Sequence, residues 1–145
     1  DRLKRDYIGS IKARLNGLVL GSKGFMLDTP RSFDFRSLLK KKVILELEEV
    51  KNPSEKSFIM GLILLNLNEA LKSIYKEDKS FRHITLVEEA HRLLSKYEAG
   101  DSLNKKSGVE AFSDMLAEVR KYGESLMIVD QIPNKLTPEV LKNTN

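Results

Sequence analysis

Three short apolar runs, at residues 43–47, 84–87 and 126–129, stand apart in the chain with stretches of helical spacing between them. Strand, helix, strand, helix, strand is the pattern of a mostly parallel sheet with flanking crossover helices, so the sequence predicts an α/β fold. The runs are continuously apolar rather than alternating, which predicts strands covered on both faces. Between the first two, Asn52-Pro53-Ser54-Glu55 is a strong helix start, with Glu55 in the first turn where the dipole favours a carboxylate. From there to Tyr75, Phe58, Ile59, Leu62, Ile63, Leu65, Leu67, Leu71 and Ile74 leave almost no polar side. A helix that apolar is expected to be buried against a sheet or between subunits. Between the second and third runs, Val109, Phe112, Met115, Leu116 and Val119 share one helical face, and Gly123 ends the helix. Residues 76–82 read as a charged loop, residues 98–107 as a polar, mobile one, and Pro138 opens a last short helix.

Upstream the pattern is different. Leu3, Tyr7, Ile8, Ile11, Leu15 and Leu18 follow a helical period among basic residues, and Asn16-Gly17 can end that helix. Residues 19–28 hold two apolar runs around Gly21-Ser22-Lys23-Gly24, which predicts a small hairpin or sharp reversal. Residues 35–40 suggest a short helix. The chain is therefore expected to divide into a helical and hairpin segment, 1–42, leading into a core at 43–145. It begins at Asp1 without an initiator Met and shows no secretory signal, so we expect a cytoplasmic piece of a longer polypeptide.

Composition narrows the chemistry. With 41% hydrophobic residues a core can form. Zero Cys excludes disulfides, cysteine-ligated metals and thiol catalysis, and the two His, His83 and His91, cannot build a histidine-rich metal centre. A net charge of +4 is only mildly basic. No apolar run is read as approaching the roughly 20 residues of a membrane span.

In open α/β sheets the binding crevice lies beyond the carboxyl ends of the strands. The second run delivers Glu88-Glu89-Ala90-His91 to its tip, and the third delivers Asp130-Gln131. Adjacent carboxylates at a strand tip suit a nucleoside triphosphatase. One holds Mg²⁺ through water, and the next orients and deprotonates the attacking water. The same residues also suit a plain acidic helix start, and from the residues alone both readings stand. Gln131 can sense a γ-phosphate or position water. Arg120 and Lys121 close the preceding helix, where cations complement the dipole without any function. His91 reads as satisfying a helix start, and His83 has no partner that the sequence names.

Glu88-Glu89-Ala90-His91, then Glu118-x-Arg120-Lys121-Tyr122-Gly123, then Ile128-Val129-Asp130-Gln131-x-Pro133 and Asn143-Thr144 resemble the HerA/FtsK superfamily of RecA-like motor ATPases. The likeness is greatest to HerA-type DNA helicases and their conjugation-ATPase relatives. It covers about residues 43–145, most specifically the last sixty or so. The resemblance implies a partial RecA-like P-loop NTPase core using ATP and Mg²⁺. It places Glu88 on the Mg²⁺ side, Glu89 as base, Gln131 as sensor and Arg120 as a residue reaching a neighbouring subunit's phosphate. It also implies a hexameric ring that moves double-stranded DNA, with a nuclease as an occasional partner.

The chain departs from the family in two places. Asp130 stands where the family has Thr, adding negative charge beside the expected phosphates. No Gly-x-x-x-x-Gly-Lys-Ser/Thr run occurs, and Gly21-Ser22-Lys23-Gly24 lacks the spacing to replace it. The isolated chain is therefore expected to bind ATP poorly. A two-domain DEAH-box helicase would carry Ser-Ala-Thr at the next strand tip, where Asp130-Gln131 stands, and no ABC-type signature is present. The remaining rival is a degenerate, non-catalytic ATPase-like module for oligomerisation or DNA docking. Lys40, Lys41, Lys42, Lys105 and Lys106 are candidate DNA contacts, although each is equally at home on a solvated surface.

Overall fold

The computed structural model describes residues 2–96 and 103–143. Contacts divide the chain into two units, Asp1–Phe33 and Asp34–Asn145. The first unit is helical: α1 (Arg2–Leu18) is followed by α2 (Gly21–Leu27). The predicted hairpin at residues 19–28 does not form. Val19 N closes α1 on Asn16 O at 3.2 Å, and Leu20 turns the chain in extended geometry. Gly24 then lies against the Val19 carbonyl, where a Cβ would stand 2.1 Å from the oxygen. The glycine thus serves a close approach of backbone to backbone inside a helix, not a hairpin turn.

The second unit begins with α3 (Phe35–Leu38), followed by α4 (Pro53–Glu77), β1 (His83–Glu88), α5 (His91–Leu94) and α6 (Leu103–Val119). A 3₁₀ turn, Arg120–Tyr122, leads into β2 (Glu124–Val129), and a second, Pro133–Lys135, leads into α7 (Pro138–Asn143). The unit is a mixed helix–strand fold around a two-stranded parallel sheet. The register pairs His83 with Glu124 and Glu88 with Val129, so the two strands start and end together.

The predicted start of α4 is realised in detail. Asn52 accepts hydrogen bonds from Ser54 N at 2.9 Å and Glu55 N at 3.1 Å, with Pro53 at the first helical position. Leu71 is wholly buried and packs with Leu64, Ile74, Leu94, Leu116 and Val119. Truncating Leu71 to Ala should cost about 3 kcal/mol, as lost transfer energy plus a cavity. Contrary to the expectation of no membrane-length run, α4 is long and apolar enough to span a bilayer by length and composition. The buried side of a core helix passes the same test, and α4 packs against α3, α5 and α6.

Two further expectations need correction. Residues 43–47 form no strand: they run without a ladder partner among the described residues, and Ile44 is 85% exposed. An extended run gains neither ladder bonds nor burial unless a neighbouring edge receives it. The strands that do form are covered on one face only. Val87, Leu126 and Ile128 meet the core, whereas Ile84, Leu86, Met127 and Val129 share the exposed face. Of the predicted polar loop, residues 97–102 lie outside the described residues, and α6 begins at Leu103. Thr144 is also outside them.

Candidate functional site

Because β1 and β2 are parallel neighbours in matched register, their carboxyl ends lie side by side. Glu89 N extends the ladder by one bond, donating to Val129 O at 3.0 Å. The chain then reverses at Glu89, whose φ of 54° is left-handed, an uncommon state for a residue with a side chain. Ala90, fully buried, follows, and α5 starts at His91. This corner turns the chain out of the sheet directly after Glu88.

Asp130, immediately after β2, holds the corner. Its side chain is 2% exposed. Oδ2 accepts from His91 N at 2.8 Å and from His91 Nδ1 at 2.9 Å, and Oδ1 accepts from Ile132 N at 2.8 Å. Burial pushes the Asp130 carboxyl up, but the N–H groups of Ile132 and His91 and the His91 ring outweigh this and hold it below its ordinary value. An ionised carboxylate only accepts, so Nδ1 carries the imidazole proton in this contact. A second clasp comes from Arg92, whose Nε and Nη2 grip Glu89 Oε2 at 2.7 and 2.6 Å. The segments after the two strands are also knitted together. Ser95 bridges Leu136, and Thr137 N donates to Leu94 O at 2.9 Å.

The expected residues therefore separate into two groups. Glu88, Glu89 and Gln131 sit at the same end of the sheet, with Gln131 exposed one residue beyond Asp130. Arg120 lies in the turn before β2, at the opposite end of a six-residue strand. That length amounts to about 20 Å, so Arg120 is not part of the tip group in its own chain. Lys40, Lys41 and Lys42 are exposed in the loop after α3, and Lys105 and Lys106 lie in the first part of α6.

Glu88 ends β1 on the exposed face, and its carboxylate engages no side chain among the described residues. Mg²⁺ beside a nucleotide needs only one or two carboxylates in addition to water and phosphate oxygens. The donor set at the tip fits such an ion. Sequence reasoning missed the Asp130–His91 contact, which joins residues 39 positions apart. It also missed the partner of His83, which is Glu124 across the first rung of the ladder. Aligning the two runs as parallel neighbours would have placed His83 opposite Glu124, whereas Asp130 reaches His91 only through the corner that follows β1. The chain matches no protein-family model, no curated protein and no solved structure.

Proposed function

We propose that the chain is the distal part of a RecA-like ATPase core from a HerA-type DNA translocase or helicase, contributing Walker B and sensor residues. The observation that carries this reading is the convergence of Glu88, Glu89 and Gln131 at adjacent parallel strand tips. It joins the motif resemblance to an arrangement able to surround a γ-phosphate. In this reading Mg²⁺ supplies charge neutralisation on ATP. Glu88 holds the ion's water shell, and Glu89 accepts the proton of the attacking water through Oε1, since Oε2 is clasped by Arg92. Gln131 donates or accepts at the same water or phosphate. In this reading Arg120, at the far end of β2, serves another subunit of a hexameric ring on double-stranded DNA. The location is cytoplasmic, and a nuclease is a candidate partner.

Asp130 takes a structural part here. Its charge is compensated by three donors, so it is not a bare repulsive group next to the phosphates. The P-loop has to come from a longer polypeptide that includes this chain. In that polypeptide Glu89→Gln should lower hydrolysis at least about a hundredfold while nucleotide binding persists. Hydrolysis by the variant at the parental rate would overturn the assignment. The second reading, a non-catalytic module, draws on the Arg92 clasp over Glu89. It predicts no hydrolysis by the unaltered parent.

A further inference from the structure

Residues 42–46 have neither a place in the sheet nor cover from the helices. They lie between the end of α3 and a turn closed by Val50 N on Leu47 O at 3.2 Å, with no helix, turn or bend of their own. None of their backbone N–H or C=O groups has a hydrogen-bond partner among the described residues. Val43 is 42% exposed, Ile44 85% and Leu45 48%. Lys42 and Glu46 are exposed and form no ion pair among the described residues. Apolar side chains on an open backbone make a template for pairing with another strand.

The order of the residues says which strand. Lys42-Val43-Ile44-Leu45-Glu46 is basic at one end, acidic at the other and apolar between. Laid antiparallel against itself about Ile44, it sets Ile44 opposite its own copy, Val43 opposite Leu45 and Lys42 opposite Glu46. Every opposed pair is then apolar with apolar or cation with anion, the pairs that stabilise a sheet. A shift of one residue either way opposes a charge to an apolar side chain, Val43 to Glu46 in one direction and Lys42 to Leu45 in the other. A parallel pair in register would set Lys42 on Lys42 and Glu46 on Glu46. The antiparallel pair has two-fold symmetry, so two identical chains satisfy each other completely.

We propose that two copies of the chain associate through residues 42–46, as an antiparallel two-stranded ladder centred on Ile44. The second copy supplies the neighbouring edge that the run lacks in its own chain, and it covers the side chain of Ile44. Two five-residue strands bury far less than the roughly 1,200 Å² of a stable interface, so the dimer is weak, with a Kd on the order of 100 µM. The proposal does not rest on the ATPase reading, which uses other residues.

Sedimentation equilibrium of the full chain at low ionic strength, up to about 1 mM, reads the association. The unaltered chain should dimerise. Lys42→Glu and Glu46→Lys each put two like-charge pairs into the ladder and should each weaken it about tenfold. An equimolar mixture of the two variants should regain the original affinity, since each then meets the opposite charge in its partner. The chain has no Cys, so single cysteines report the register. Ile44→Cys should form an interchain disulfide, because opposed Cα atoms of an antiparallel ladder lie about 4.5–5.5 Å apart. Lys41→Cys would stand six residues along the ladder from its copy, about 20 Å, and should not. A chain that stays monomeric at about 1 mM overturns the proposal and leaves the run to an edge on a longer polypeptide. A dimer indifferent to both charge reversals overturns it by placing the contact on another surface. Lys41→Cys cross-linking as fast as Ile44→Cys overturns it too, since that means parallel pairing or chance collision.

Discussion

Each end of the sheet pairs a histidine with a buried carboxylate, but in opposite conditions. At the carboxyl end Asp130 meets His91, and at the amino end Glu124 meets His83. Both carboxylates are buried, and each joins the β1 side to the β2 side. Asp130 has both oxygens engaged, by two backbone N–H groups and one imidazole. Glu124 engages through one oxygen and leaves the other bare. A buried acid with all its donors acts as a clamp, and one with a bare oxygen carries a desolvation cost that nothing offsets. Burial is the same at both ends, so the difference lies in which neighbours the turns supply. The turn after β2 presents Ile132 N to Asp130, whereas Glu124 is followed directly by ladder residues.

The largest expected effect is at the clamp. Asp130→Ala leaves His91 N and Ile132 N without their acceptor and should cost about 3–4 kcal/mol in denaturant unfolding. Glu124→Gln, which keeps an acceptor for His83, should cost about 1 kcal/mol or less. Equal costs would break the contrast. The clamp also has a pH signature. The Asp130 carboxyl is held below its ordinary 3.8, so its stabilisation is complete above that value and is lost as pH falls through the lower folded-state value. The stability gap between the wild type and Asp130→Asn should therefore stay level near neutrality and close below about pH 4.

Gly123 sharpens the contrast from the amino end. It leads into β2 with φ 78°, and a Cβ there would stand 2.1 Å from Phe81 O. A side chain faces both the left-handed penalty and a backbone clash, so Gly123→Ala should cost about 2–3 kcal/mol by thermal unfolding. A neutral substitution would show that the amino end is looser than the geometry requires.

Much of this was legible locally. The cap at Asn52-Pro53 marks α4 because capping is a property of four consecutive residues. The runs at 84–87 and 126–129 mark β1 and β2, and two parallel strands necessarily bring Glu88, Glu89 and Gln131 to one end. Residues 43–47 read as equally strand-like, but a strand is a relation to a neighbouring edge and not a property of a run. The glycines at 21 and 24 were ambiguous for a related reason. Gly24 serves a contact with Val19 rather than a turn of its own, and composition does not distinguish the two. The His–carboxylate pairs were invisible because residues 39 and 41 positions apart meet only once the register is set.

The smallest expected effect concerns the second clasp on the corner. Glu89 is 45% exposed at its side chain, so its pairing with Arg92 is screened by water, and Arg92→Ala should change stability by less than about 1 kcal/mol. Arg92 and Asp130 nevertheless grip the same four-residue corner, one through Glu89 and the other through His91. A double-mutant cycle of Arg92→Ala with Asp130→Asn separates two arrangements. Coupling below about 0.5 kcal/mol means independent clasps, with Glu89 free to leave Arg92 while the backbone stays fixed by Asp130. Coupling well above that means a single network, in which displacing the Glu89 carboxylate also strains the Asp130 clamp. Only the first arrangement lets Glu89 serve as a proton acceptor on an undisturbed sheet.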